Sequence, residues 1–239
     1  MKGNDVKFTL PMLDAPRTLR VKFRKVGNLQ YISHLDLQRT FARVLVRAGL
    51  PLWYTKGFNP HIKMVFGMPL PVGSESECEY LDIRIEREMS CAEVKERLNR
   101  ELTHELAVLD VYPAATKLSD MAYAVYEYTV VTTGADEALA DRVRALLAGD
   151  ALYVMKKGKS GEREVNIADS LQGVEVGFAD GVLTMCVTLA AGEGKYISPE
   201  ALITVLRREL GILSGDPTAE HYRILRRRVL LADGKTEFT

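Results

Sequence analysis

One order of hydrophobic periods occurs twice in this chain, and that repetition restricts the fold more than any single residue does. Residues 18–25 alternate, with Leu19, Val21 and Phe23 on one side and Arg20, Lys22 and Arg24 on the other, the pattern of a half-buried strand with a cationic outer face. A helical run follows from His34, with Leu37, Phe41, Val44, Leu45 and Ala48 on one face. Ser33 stands at its cap, Asp36 lies in the first turn where the helix dipole favours an anion, and Gly49 ends the run before Pro51. Residues 63–70 read as a second strand ended by Pro69 and Pro71, and residues 79–85 as a third. Ser90, with Glu93 three residues on, predicts a second helix, and residues 106–113 a fourth strand.

From residue 122 the order begins again. A strand over 122–131 precedes a helix over 136–148, and a strand from 152 turns at 157–161 into residues 165–167. A hairpin then folds around Asp180-Gly181, Ser198-Pro199-Glu200 opens a helix, and residues 221–231 close the chain as a strand. Strand, helix, strand, strand, helix, strand is the split βαβ unit of a ferredoxin-like domain. The expected fold is therefore α+β, with two ferredoxin-like (βαββαβ) units in tandem. The expected boundaries are an N-terminal arm at 1–16, whose Phe8, Leu10 and Leu13 can dock on the body, a first unit at 17–114 and a second at 115–239, with a linker near 114–120.

Composition excludes several classes. With 47% hydrophobic and 27% charged residues the chain has enough apolar material for a core and is not of the disordered type. No apolar run approaches the roughly 18 residues that span a bilayer, and the N-terminus lacks the order of a signal peptide, so no membrane association and a cytoplasmic setting are expected. Cys78, Cys91 and Cys186 are odd in number and widely spaced, which predicts neither a disulfide framework nor a metal site, and no cofactor is expected. The formal charge of zero hides a segregation. Residues 17–66 hold ten basic side chains against Asp36 alone, whereas residues 67–112 hold eleven acidic against five basic. Either the basic block forms a positive face for polyanions, or the two blocks neutralise each other across neighbouring elements.

RNA-binding surfaces combine phosphate-directed Lys and Arg with aromatics on which bases stack. Arg20, Lys22 and Arg24 on one strand, Arg39 and Arg43 on one helix, and Tyr54, Lys56, Phe58, Asn59, His61 and Lys63 in one loop meet that description. Arg47 reads instead as part of a solvated face. Gly57 permits a positive φ and Pro60 forces Asn59 into an extended conformation, so the loop is stiffened for presenting side chains. The alternative for Phe58 is a plug in the core. His34 sits where the helix dipole favours a neutral imidazole, and with Tyr31 and Lys56 it would form an acid–base set for a ribose 2′-hydroxyl and a scissile phosphate. Its alternative role is a structural hydrogen bond at the cap.

The stretch YISHLDLQRTFARVLVRAGLPLWYTKGFNPHIKMVFGMPLPVGSESECEYLDI resembles the signature of radical-SAM-linked bacterial proteins of unknown function, which are fused to a radical SAM protein or encoded beside one. The resemblance implies a radical SAM protein as partner, and the family's usual neighbourhood of ribonuclease and ribosomal-protein genes points toward RNA. No Cys-x3-Cys-x2-Cys triplet is present, so no intrinsic iron–sulfur cluster is expected. The tandem layout with a histidine after the first strand is also similar to the repeat-processing endoribonucleases of CRISPR systems, although residues 211–215 are a poor version of their glycine-rich loop. Three functions follow as expectations. The first is an RNA-binding or substrate-presenting accessory module of a radical SAM enzyme. The others are a metal-independent endoribonuclease using His34, and a protein-interaction domain that docks on the radical SAM partner.

Overall fold

A computed structural model describes residues 9–158, 161–192 and 194–239. It is α+β, and the chain divides into two compact units, Met1–Leu118 with Thr239, and Ser119–Phe238.

The first unit runs β1 (Met12–Lys25), α1 (His34–Arg47), β2 (Met64–Phe66), β3 (Ser74–Arg87), α2 (Cys91–Glu101) and β4 (Val108–Pro113). Its strands lie in the order β4-β1-β3-β2, every neighbouring pair antiparallel. Val21 opposes Leu81, so Leu19, Val21 and Phe23 share a face with Leu81, Ile83 and Ile85. On that face α1 lays Leu37, Phe41, Val44 and Leu45, and α2 adds Val94 and Leu98. Each such buried side chain contributes about 1.5–3 kcal/mol. The helix starts where the cap signal places it: Ser33 Oγ accepts the Asp36 N–H at 3.1 Å, and Gly49, at φ +65°, follows its last turn.

Several boundaries differ from the expectation. β1 begins at Met12, inside the stretch expected as an arm (1–16), because β3 extends to Arg87, so Met12 pairs with Arg87 and the Glu88 N–H donates to the Pro11 carbonyl. A register shift between Met12 and Arg17 breaks the alternation that would have marked this stretch as strand. Leu10 and Leu13 pack on the core, while Phe8 lies outside the described residues. The second strand shrinks to three residues because Gly67 and Pro69 end it. The third begins five residues early, since Ser74, Glu75 and Ser76 are buried polar strand residues that no apolar pattern can reveal.

The second unit runs β5 (Tyr123–Val131), α3 (Glu137–Leu147), β6 (Tyr153–Gly158), β7 (Gly161–Asn166), β8 (Leu171–Ala179), β9 (Val182–Ala190), α4 (Glu200–Leu210) and β10 (His221–Leu230). Its main strands lie in the order β10-β5-β9-β8, again antiparallel throughout, and β6 with β7 forms a separate hairpin inserted after α3. The tip expected at 157–161 includes two residues outside the described set. Asp136 caps α3 by accepting the Leu139 N–H at 2.7 Å. Tyr128 is buried and donates to the Pro199 carbonyl at 3.0 Å; burial pushes its phenol well above the usual range. Between α4 and β10, Glu220 holds the connection by accepting from Thr132 Oγ1 and from the N–H groups of Thr133 and Gly215. Among the described residues no helix is long and apolar enough to cross a membrane.

Candidate nucleic-acid interface

The 54–63 loop is closed at its neck. Tyr54 bridges to Ile62, the Thr55 N–H donates to the His61 carbonyl at 2.9 Å, and the His61 N–H donates back to Thr55 Oγ1 at 3.1 Å. His61 Nδ1 also lies 3.0 Å from Thr55 Oγ1, so this side chain ties the neck rather than pointing out as a free contact. Gly57, at φ +137°, takes the tip through a conformation that side chains disfavour. With the neck tied, Phe58 cannot fold back to the core and stands fully exposed, with Lys56, Asn59 and Pro60 exposed around it. Among the described residues neither Lys56 nor Lys63 has a carboxylate partner.

Below the neck the register assembles a row that the sequence did not announce. Leu52 bridges antiparallel to Ile85 and Tyr54 to Ile62, which sets Trp53 beside Arg84 on one side and Lys63 on the other. The backbone agrees, because the Trp53 N–H donates to the Arg84 carbonyl at 2.9 Å and the Lys63 N–H to the Trp53 carbonyl at 3.3 Å. Ile83 and Ile85 face the core, so this row is on the opposite face of the sheet, where the Arg84 guanidinium lies over the indole at 5.6 Å. Lys63 and Arg84 are exposed and Trp53 half-buried.

The other cations on that face are committed elsewhere. Arg20 was expected on an exposed strand face and is instead 0% exposed. Its guanidinium grips Asp82 through two bonds of 2.8 and 2.9 Å and reaches Thr116 and the carbonyl of Thr239. The cause is register: Asp82 is its directly opposed residue on β3. Lys22 lies over the Tyr80 ring at 5.8 Å, and Arg24 donates to the His104 carbonyl at 2.7 Å. The α1 arginines are on the far side of the unit, because α1 covers the Leu19–Val21–Phe23 face and Arg20, Lys22 and Arg24 are on the other. One groove uniting the cationic strand, the helix and the loop therefore does not form. Arg39 pairs with Asp36 at 3.3 Å, Arg47 with Glu101 at 2.6 Å, and Arg43 is exposed.

The expected acid–base set is not gathered either. His34 packs edge-on against Phe66 at 5.4 Å, with Nε2 3.0 Å from the Gln38 amide nitrogen. Phe66 opposes Leu81, whereas the loop neck rises from the level of Arg84 and Ile85, three to four residues further along β3, about 10–13 Å. Among the described residues no hydrogen bond or ion pair links Tyr31, His34 and Lys56. A different pair of ionisable groups lies near the histidine. Lys25 and Glu79, 1% and 6% exposed, line a cavity of about 10 Å³ with Ser33, His34, Leu37 and Phe66, room for about one water. Lys25 Nζ also donates to the Gln30 carbonyl at 3.3 Å. The alternation that turns Val21 and Phe23 inward turns Lys25 inward too, and Glu79 shares the parity of Leu81 and Ile83; a charge in the inward series was the available signal. Among the described residues no group of three or more His, Cys, Asp or Glu could hold a metal ion.

The fold and the loop define an α+β protein with a tied, aromatic-tipped loop beside a cation-flanked tryptophan. The chain belongs to the DUF2344 family of uncharacterized proteins conserved in bacteria, whose model matches residues 18–199. No curated protein matches it. Among solved structures it is similar to a chain in a crystal structure of a Cbf5-Nop10-Gar1 complex, at 12% identity and a TM-score of 0.45, over 88% of this chain and 48% of the other. This chain thus spans about half the length of that one. It is also similar to an unknown protein from Galdieria sulphuraria, at 12% identity and a TM-score of 0.26, over 89% and 99% of the two chains. Neither likeness bears on what the chain does.

Proposed function

We propose that this protein is an RNA-binding, substrate-presenting accessory module that works in the cytoplasm with a separate radical SAM enzyme in RNA modification or processing. The observation that carries the reading is the 54–63 loop, whose tied neck holds Phe58 in solvent with Lys56 beside it and Lys63 at its base. A rigid aromatic flanked by unpaired ammonium groups suits a base and its phosphates. It suits a protein partner less well, because lysine is depleted from the buried centres of protein–protein interfaces. The radical SAM partner rests on the resemblance of residues 31–83 to proteins linked with such enzymes. The same reading takes the chain as two ferredoxin-like units joined near residues 114–120, supported by the same antiparallel strand order in each. A nuclease using His34 draws no support from a geometry that leaves Tyr31 and Lys56 unconnected to it.

Filter binding of single-stranded RNA over a range of salt concentrations tests the reading. The expected result is affinity that falls as salt rises, with a slope of about −0.7 for each phosphate contacted. Affinity that is absent at low salt, or indifferent to salt, overturns it.

A further inference from the structure

Resting on the RNA-binding reading of the 54–63 loop, we infer that Trp53, set in one cross-strand row between Lys63 and Arg84, is a second base-stacking platform. The ligand is then a single-stranded segment running from Phe58 at the tip down to the indole.

The row has the elements such a platform needs. Arg84 lies over the indole at 5.6 Å, which orients the ring, and the arginine itself is exposed, so its planar guanidinium extends the stacking surface that the indole begins. Lys63 supplies a second exposed cation on the other flank, so a base on the indole has a phosphate-directed group on either side. Trp53 and Phe58 are five residues apart, so their backbones are separated by at most about 17 Å. That is a span of at most a few nucleotides. The neck bonds between Thr55 and His61 fix it. Duplex bases are already stacked on one another and do not offer a free face to an isolated side chain, whereas unpaired bases do. Two separate aromatic platforms on one short path therefore select single strands over duplex. The cations further along the same face differ, since Arg20 is buried against Asp82 and Tyr80 is buried beneath Lys22. The path ends at Arg84.

Trp53 is the only tryptophan in the chain, so its emission reports this site alone. The experiment titrates the full chain with fluorescein-labelled oligouridylate, following label anisotropy and tryptophan emission on matched samples, with a duplex of the same length as competitor. The expected result is quenching with the same midpoint as the anisotropy change, poor competition by duplex, and a several-fold loss of affinity in both Lys63→Ala and Arg84→Ala. The Phe58→Ala chain is expected to bind more weakly and still quench fully at saturation. Binding by anisotropy with unchanged tryptophan emission, or equal competition by duplex, overturns this inference and leaves the RNA reading standing. No anisotropy change at low salt overturns both, as does capture of an acidic protein partner by the same surface with no affinity for RNA.

Discussion

Arg20 and Arg84 occupy equivalent places on neighbouring strands of the first unit, both on the face away from the helices, yet they have opposite fates. Arg20 opposes Asp82 and is buried in a two-bond grip; Arg84 opposes Thr18, which offers no charge, and stays exposed over Trp53. A count of basic residues treats the two alike. The directly opposed residue across the ladder separates them, because it decides whether a cation meets its counter-charge inside the protein or has to find it outside. The cations of the first unit are therefore part structural clamp and part available surface.

The sharpest way to break this comparison is to remove the clamp. Arg20→Ala leaves Asp82 without its guanidinium and Thr116 without a donor, and is expected to lower stability by about 3 kcal/mol in urea unfolding. Arg84→Ala removes an exposed side chain and its contact with the indole, and is expected to change stability by no more than about 1 kcal/mol. Equal stability of the two variants would refute the division into clamp and surface.

Phe58→Ala is the next largest effect, on binding alone. Stacking of one base on an aromatic contributes about 1–3 kcal/mol, so RNA affinity should fall by roughly that amount while the melting temperature holds. Phe58 makes no core contact whose loss would lower stability. Unchanged affinity would remove the loop tip from the interface.

Much of the fold was legible because it is written in periods. The α1 face from Leu37 to Ala48, the caps at Ser33 and Ser90, and the helix stop at Gly49 depend on local spacing and stand where that spacing puts them. The site was legible in half. Gly57 and Pro60 announce a stiff loop, and the loop does present Phe58. What local spacing cannot supply is register. That Asp82 falls opposite Arg20, and that Trp53 lands between Lys63 and Arg84, follows from how strands far apart in sequence slide against one another. Handedness was the other loss. Alternation put Arg20, Lys22 and Arg24 together, and helical spacing put Arg39 and Arg43 together, but α1 covers the opposite face of β1 and so the two sets cannot share a groove.

A pH experiment sharpens a second contrast, between two loops. The 54–63 neck is closed by backbone bonds and the Thr55 and His61 side chains, whereas the connection before β10 depends on one carboxylate. Hydrogen bonds from Thr132 Oγ1 and the N–H groups of Thr133 and Gly215 hold Glu220 down to about 2, from an ordinary value of 4.5. Because the folded value is the lower one, its stabilisation is complete above the ordinary value and is lost as pH falls from 4.5 toward about 2. Amide exchange at Thr133 and Gly215, corrected for its intrinsic pH dependence, should therefore lose protection across that window. The Thr55 and His61 amides should show no matching transition there. Glu220→Gln should abolish the Thr133 and Gly215 transition, and its persistence in that variant would assign it to another group.

The smallest effect falls on the helix arginines. Arg39 is exposed and paired with Asp36 one turn away, an arrangement contributing about 0–1 kcal/mol, and Arg43 is exposed on the same side of α1. Since the sheet separates these groups from the row at Trp53, the double variant Arg39→Ala, Arg43→Ala is expected to bind RNA as the unaltered chain does, and with the same salt slope. A loss as large as that of Arg84→Ala, with a slope reduced by about 0.7 for each phosphate released, would mean that the strand wraps around to the helix layer. The availability of a cation would then depend less on its opposed residue than the contrast between Arg20 and Arg84 requires.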